Sequence, residues 1–393
     1  MSSRIDKTRI RDLFLELVQI DSHSRKERDV ALRLECEMRD LGADRILFDD
    51  AGEKVGGNTG NLIALFPGTV PAAPALLVSA HMDTVVPGEG VKPIVDGDIV
   101  RSDGTTVLGG DDKSGVAIIC EVLRVLRERE IPHGPIDVVF TICEEKGLVG
   151  AKHLDVRPLR AKSGVVLDSD SPGFLFTRAP GANAISVRVH GLEAHAGMAP
   201  EKGMSAIQIA AEAVANMRLG RIDDETTANL GIIRGGAAVN IVPNLVEIRG
   251  EARSHRDDKL EAQTAHMRKC FEDAAARHSV TIGGKTERAR VEFTAIREYE
   301  AMNVPDASAI VRLIVAAGER VDARVTVTGM GGGCDANILN RRGFEVANLG
   351  TGMRDIHTVK EWLDVNDMVL AAEVLLEAIT LNAEKGPAPF SGS

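Results

Sequence analysis

Three apolar, β-branched-rich runs in this chain each stop on an acid or a histidine. Ala75-Leu76-Leu77-Val78-Ser79-Ala80 runs into His81-Met82-Asp83. Ile136-Asp137-Val138-Val139-Phe140-Thr141-Ile142-Cys143 runs into Glu144-Glu145, and Gly164-Val165-Val166-Leu167 into Asp168. Short, nearly unbroken apolar runs read as strands of a parallel sheet buried on both faces. In open α/β sheets, ligand sites lie just beyond the carboxyl ends of the strands. One spatial rule thus gathers a histidine and several carboxylates on one rim, a metallohydrolase layout.

Helical spacing flanks these runs. Leu13, Leu17 and Ile20 mark a helix near 5–20, and Val30, Leu34 and Met38 a second near 25–41. Ser24 is placed to cap that second helix, with Glu27 at the capping-box position. From about 60 to 175, strands alternate with amphipathic helices such as Gly115 to Arg129, which predicts a doubly wound α/β sheet. The pattern changes at Pro180-Gly181. Strand Ala184 to Val189, helix Met204 to Met217, strands Asn229 to Ile233 and Leu245 to Arg253, helix Asp257 to Arg277 and strand Arg288 to Phe293 follow in the order β-α-β-β-α-β. That order is a split βαβ unit, an α+β ferredoxin-like domain with helices on one sheet face. Alternation resumes after 296, with helix Ala307 to Ala317, strand Arg324 to Thr328, helix Ala336 to Leu339 and strand Glu345 to Leu349. The expected organisation is a discontinuous catalytic domain, 1–179 and 296–393, interrupted by an inserted domain, 180–295. The Pro/Gly/Ser-rich tail after Lys385 is expected to fray.

At 393 residues the chain can bury a large core. Its net charge of −11 and lack of a long basic run argue against nucleic acid or an anionic membrane as partner. A single Trp and a single Tyr give no stacking platform for single strands. The five cysteines form no CxxC pair, which suits free thiols in a reducing cytoplasm. The N-terminus lacks the apolar stretch of a signal peptide, and no run is long enough to span a bilayer. A cytoplasmic location is expected.

The candidate chemistry lies in four places. His81-x-Asp83 at a strand end puts an imidazole and a carboxylate on one side, where Asp83 can orient the ring. Gly109-Gly110-Asp111-Asp112-Lys113 opens a helix, and a carboxylate from this loop could bridge two cations. Glu144-Glu145 is a costly pair of adjacent acids unless a cation or proton compensates; one would coordinate metal and the other handle protons. His357, in Ile356-His357-Thr358, follows the strand Val346 to Leu349. Cys143 and Cys334 have no recognisable base partner and are disfavoured as nucleophiles. Gly331-Gly332-Gly333-Cys334-Asp335 is no dinucleotide loop, since Cys334 occupies the place of the third glycine.

In combination these motifs resemble the M20 family of co-catalytic zinc peptidases and deacylases, and most closely its peptidase T branch of tripeptide aminopeptidases. The resemblance covers nearly the whole chain. It implies two Zn2+, for which Mn2+ or Co2+ can substitute since no ligand is a thiolate. His81 and Asp168 would hold one ion, Glu145 and His357 the other, with Asp112 bridging. Asp83 would orient His81, and Glu144 would be the general base. His195, in Gly191-Leu192-Glu193-Ala194-His195-Ala196-Gly197, would stabilise an oxyanion, often from a neighbouring subunit. Asn240, Arg253, Gly332 and Gly333 would contact substrate, Arg253 by pairing with a carboxylate. The inserted domain would serve as lid, hinged near 180 and 295, and as the surface of a homodimer.

The implied activity is hydrolysis of an amide bond in a short peptide, as a tripeptide aminopeptidase. The alternatives are an M20-type carboxypeptidase or N-acyl amino acid deacylase and, in another class, a non-catalytic metal-binding relative. Two positions depart from the family pattern. Cys334 replaces the usual Thr or Ser before Asp335, and Ser169 rather than Gly follows Asp168. Neither removes a ligand, and both could touch the pocket rim.

Overall fold

Each of the three apolar runs folds as a strand with almost every side chain buried. Leu76–His81 and Ile136–Thr141 are buried throughout, as is Ser163–Val166 after its first residue. They belong to the computed structural model of the chain, which describes residues 3–384 and so excludes the tail after Lys385. The chain divides into two units, one formed by Pro180–Ala301 and the other by the segments on either side of it.

The larger unit is built on a mixed nine-stranded sheet. Its centre runs Ile136–Thr141, Leu76–His81, Ser163–Val166 and Glu345–Leu349, and every neighbouring pair in this group is parallel. Their carboxyl ends therefore share one edge. Antiparallel strands flank the group: Leu62–Phe66 pairs with Ile136–Thr141, and Phe174–Ala179 with Glu345–Leu349. The helices Gly110–Glu128 and Val365–Glu384 contribute Val116, Ile119, Leu375 and Ile379 to the core around the sheet. The first helix, Lys7–Val18, buries Ile10, Phe14 and Leu17. Its buried stripe lies beside the expected one, since Leu13 and Ile20 are only half-buried. A small second sheet joins Met353–Arg354, Trp362–Asp364, Ile99–Arg101 and Ile94–Asp96, and so ties down both flanks of the His357 loop.

The second unit is an antiparallel sheet in the order Gly220–Asp223, Thr226–Gly235, Leu245–Ser254, Gly181–His190, Arg290–Tyr299. The helices Ala206–Ala215 and Asp257–Ala276 supply Ile209, Ala213, Leu260 and Phe271 to a core with Val187, Val189 and Ile248. This is the split βαβ arrangement. Two features differ from expectation. Arg290–Tyr299 runs unbroken through Ala295, so the second junction falls at 301/302 and not at 295. A hairpin, Ser279–Ile282 with Lys285–Arg288, precedes that strand. Its turn residues Gly283 and Gly284 both have positive φ, as a two-residue hairpin turn requires.

Gly164 lies at the middle of the parallel group, opposite Leu77. A Cβ there would sit 1.9 Å from the Leu77 carbonyl oxygen, so the strands must separate to admit one. Gly164→Ala should destabilise the protein by about 2 kcal/mol or more, seen as a lower urea midpoint. An unchanged midpoint would show that the sheet tolerates the spread.

Candidate metal centre

His81 is the last residue of its strand and is buried. Its Nδ1 lies 2.9 Å from the main-chain carbonyl of Asp83 and 3.5 Å from the Asp83 carboxylate. The Asp83 carboxylate makes its closer contacts elsewhere. It accepts from the amides of Glu144 at 2.9 Å and Glu145 at 3.3 Å, and from the Ser24 hydroxyl at 2.6 Å. Asp83 therefore holds the imidazole with its carbonyl and the turn carrying the two glutamates with its carboxylate. Ser24 is not the expected helix cap, because Arg28–Leu41 begins after Glu27. The Glu27 carboxylate instead accepts from the Cys143 amide at 3.0 Å, steadying the same turn from behind.

Asp111, and not the expected Asp112, lies between the two histidines. Asp111 Oδ1 is 3.0 Å from His81 Nε2, and Asp111 Oδ2 is 3.0 Å from His357 Nε2. The Asp112 carboxylate faces main chain. It accepts from the His81 amide at 3.1 Å and from the Gly115 amide at 3.2 Å, fixing the strand end to the helix entrance. The Asp111–Asp112 peptide is cis, and neither residue has helical φ/ψ. Two neighbouring acids on a loop look equivalent in sequence; their separate hydrogen-bond partners tell them apart.

Glu144 and Glu145 follow Cys143, a non-glycine residue at positive φ that turns the chain off its strand. Glu145 Oε1 is 3.0 Å from His357 Nε2. Asp168 Oδ1 is 3.9 Å from His81 Nε2, and the Asn348 side chain pins both main-chain groups of Asp168, at 2.9 and 2.6 Å. Three overlapping sets emerge: His81, Asp111, Asp168; His81, Glu144, Glu145; and Asp111, Glu145, His357. Within each set, one ligand atom per residue lies within 4.8 Å of the others. Every expected ligand except Asp112 is in this cluster, and Asp111 joins it.

The charges fit a cation. Burial, then the neighbouring Asp168, pushes Glu144 well above the usual carboxylate range. Burial does the same to Asp168, and raises Glu145 against the pull of His357. Burial opposes charge on His81, yet the Asp111 and Asp83 carboxylates hold its pKa well above normal. Asp111 and then Glu145 raise His357 to about 10. In the protein alone, protons and the two imidazolium rings offset the acid crowding. Divalent ions would do so better, through imidazole and oxygen donors that suit zinc, manganese or cobalt.

The other expected residues divide between the two units. In the second unit, His195 is exposed and its Nδ1 accepts from the amides of Gly197 and Met198, both at 3.2 Å. Asn240, also exposed, is its neighbour: the Asn240 carbonyl accepts from the Ala196 amide, and His195 bridges to Ile241. Arg253 lies near the far end of Leu245–Ser254, roughly 26 Å along the strand from Leu245. There it is paired with Glu251 at 2.9 Å. In the first unit, Gly332 and Gly333 are half-buried on the loop before Asp335–Arg341. Cys334 and Ser169 are buried, so the two departures from the family pattern change packing and not exposed surface.

Sequence reading missed Glu361. It is buried four residues beyond His357 and accepts three main-chain hydrogen bonds from the loop carrying Asp111. Its partners are main-chain amides, which leave no mark in the sequence. Burial raises its pKa to about 7 despite those donors.

Comparison with known proteins adds the family. Residues 77–381 match the model of Peptidase family M20/M25/M40. An uncharacterised Bacillus subtilis (strain 168) protein, YqjE, is 41% identical over 376 residues, covering 95% of this chain and 98% of the relative. The crystal structure of aminopeptidase PepT from Bacillus cereus shares 40% identity with a TM-score of 0.85, covering 97% of this chain and all (100%) of that one. That of a tripeptidase from Staphylococcus aureus shares 37% identity with a TM-score of 0.90, again covering 97% and 100%. The chain belongs to the peptidase family M20/M25/M40, and within it is a peptidase T-like enzyme.

Proposed function

We propose that this peptidase is a two-metal tripeptide aminopeptidase. The observation that carries the reading is the Asp111 carboxylate, 3.0 Å from each of two imidazoles whose other neighbours are acids. His81 and Asp168 would hold one Zn2+, and Glu145 and His357 the other, with Asp111 shared; Mn2+ or Co2+ could replace zinc. When bound, such a pair supplies Lewis acidity to a scissile carbonyl and makes water a stronger acid. The aminopeptidase and tripeptidase named among the structural neighbours support the choice of substrate.

Glu144 is the proposed general base. The Asp83 carboxylate fixes its main chain, and burial raises its affinity for a proton. It takes a proton from the attacking water and returns it to the leaving amine. His195 suits oxyanion stabilisation. Two amides donate to its Nδ1, so the neutral ring carries its proton on Nε2, as a donor. Asn240 would act beside it. Arg253 would bind a substrate carboxylate in competition with Glu251, and the main chain at Gly332 and Gly333 would line the pocket.

A homodimer through the inserted domain is part of this reading. Strand Thr226–Gly235 is paired on one side along its length, but on the other only over Thr226–Ala228. Ile232 and Ile233 on the open stretch are 43% and 62% exposed. An apolar open edge invites a second chain. The separation of His195 from Arg253 also favours a site that takes them from different copies. No helix among the described residues is long and apolar enough to cross a membrane. The five cysteines are free thiols, which supports a cytoplasmic setting.

The test is hydrolysis by metal-stripped protein, titrated with zinc, manganese or cobalt. The panel comprises tripeptides, N-blocked dipeptides and N-acyl amino acids, with product masses recorded. Metal-dependent release of an N-terminal residue, requiring a free amino group, is expected. Cleavage confined to blocked substrates would replace this reading with a deacylase, and metal uptake without cleavage with a non-catalytic role. Glu144→Ala should lower kcat about a hundredfold or more while metal content stays near that of the wild type. Activity surviving that change would remove Glu144 as the base.

Asp111→Asn and Asp112→Asn separate the two acids. Asp111→Asn should lose at least one bound ion per chain by elemental analysis. Asp112→Asn should keep its ions and lower the melting temperature. The reverse pattern would restore Asp112 as the shared ligand. Mixing subunits tests the dimer. Glu144→Ala and His195→Ala proteins, each inactive alone, should regain about a quarter of wild-type activity after subunit exchange, since half the dimers would carry one intact site. No recovery in verified mixed dimers would place both residues in one chain's site.

A further inference from the structure

Asp111 stands between two imidazoles because something fixes its main chain. The Glu361 carboxylate is 1% exposed and faces the loop Leu108–Asp111. Glu361 Oε2 accepts from the amides of Leu108 at 2.7 Å and Gly109 at 2.8 Å, and Oε1 from the amide of Asp111 at 3.0 Å. Gly110 leaves room for it, since a Cβ there would lie 3.0 Å from Glu361 Oε1. The clamp is itself held. The Glu361 amide donates to the Thr358 carbonyl at 3.1 Å, and Trp362–Asp364 pairs with Ile99–Arg101 directly afterwards. One short segment therefore provides His357 and, four residues on, the group that fixes the carboxylate His357 meets.

We infer that Glu361 is a positioning residue for the metal pair: its carboxylate clamps the Leu108–Asp111 main chain so that Asp111 can serve both cation positions at once. This rests on the two-metal reading proposed above. The chemistry calls for a carboxylate. Three converging N–H donors need a group that only accepts, and an ionised acceptor makes the stronger bonds. A glutamine at this place would turn an NH2 against at least one donor. A further buried acid is also costly in a cluster already crowded with acids. A purely structural role could be filled by an apolar contact; three directed amide bonds to the ligand loop could not.

Glu361→Gln tests this with two readouts besides turnover. In metal-free protein, the amides of Leu108, Gly109 and Asp111 should exchange with deuterium faster than in the wild type. Mn2+ binding, followed by chelator competition and by the spin-coupled signal of paired Mn2+ ions, should weaken roughly 10- to 100-fold for the pair. The coupled signal should be lost at Mn2+ levels that fill the wild type. Wild-type Mn2+ affinity and coupling in Glu361→Gln, with only a lower melting temperature, would overturn the proposal and leave Glu361 as scaffold. If Glu361→Gln does not fold, Gly110→Ala decides instead, since its Cβ presses on the same carboxylate; a weaker Mn2+ pair supports the clamp and an unchanged one overturns it. Wild-type protein that never binds a coupled pair would instead refute the two-metal reading. The amide exchange of metal-free protein tests the clamp either way.

Discussion

A buried carboxylate that meets two imidazoles at once is the constraint on which the catalytic unit depends. Asp111 can do this only if three pieces of chain arrive together: the strand end at His81, the loop at Gly109-Gly110, and the His357 loop. Each is held by hydrogen bonds to main chain. Asp112 ties its own loop to the His81 amide. Asp83 ties the His81 strand end to the Glu144-Glu145 turn. Asn348 ties Asp168 to the neighbouring strand. The acids around the centre thus fall into two groups. Some face one another and the imidazoles, and others spend their oxygens on amides to keep the first group in place.

This division explains what the sequence made legible. Apolar runs ending in His81, Glu144-Glu145 and Asp168 announced parallel strands with a common carboxyl edge, because burial on both faces leaves little freedom in composition. The alternation in Gly181–His190 and the order of helices and strands likewise marked the second unit. The choice between Asp111 and Asp112 was not legible, because it depends on which carboxylate an amide claims. Glu361 was invisible for a similar reason: its partners are backbone groups, which leave no signature in the residues they belong to. The hairpin at Gly283-Gly284 did leave one, an adjacent glycine pair between two short β-prone stretches.

The second unit shows the limit of motif reading from another side. His195 and Asn240 are distant in sequence, yet the fold sets them side by side through the Ala196 amide and the bridge to Ile241. Arg253, closer to Asn240 in sequence, is carried away along an extended strand. Antiparallel register therefore decides which residues of this domain can act together. It separates an exposed donor pair from a guanidinium already satisfied by Glu251.

The net charge at the centre also has to be accounted for in the chain itself. Lys113 is fully buried beside it, and its Nζ donates to the Ser22 hydroxyl at 2.6 Å. Burial lowers its pKa to about 8, against the pull of Asp83, Asp112, Glu361 and Glu27. These are the acids that serve main chain or turn, so Lys113 contributes its one positive charge to the structural group. It leaves Asp111, Glu144, Glu145 and Asp168 to be balanced by the imidazoles or by cations. A buried lysine is costly unless paired, and here it offsets part of the charge of the acids that hold the main chain. Four acids against two imidazoles leave negative charge at the centre, where a divalent pair would take it up.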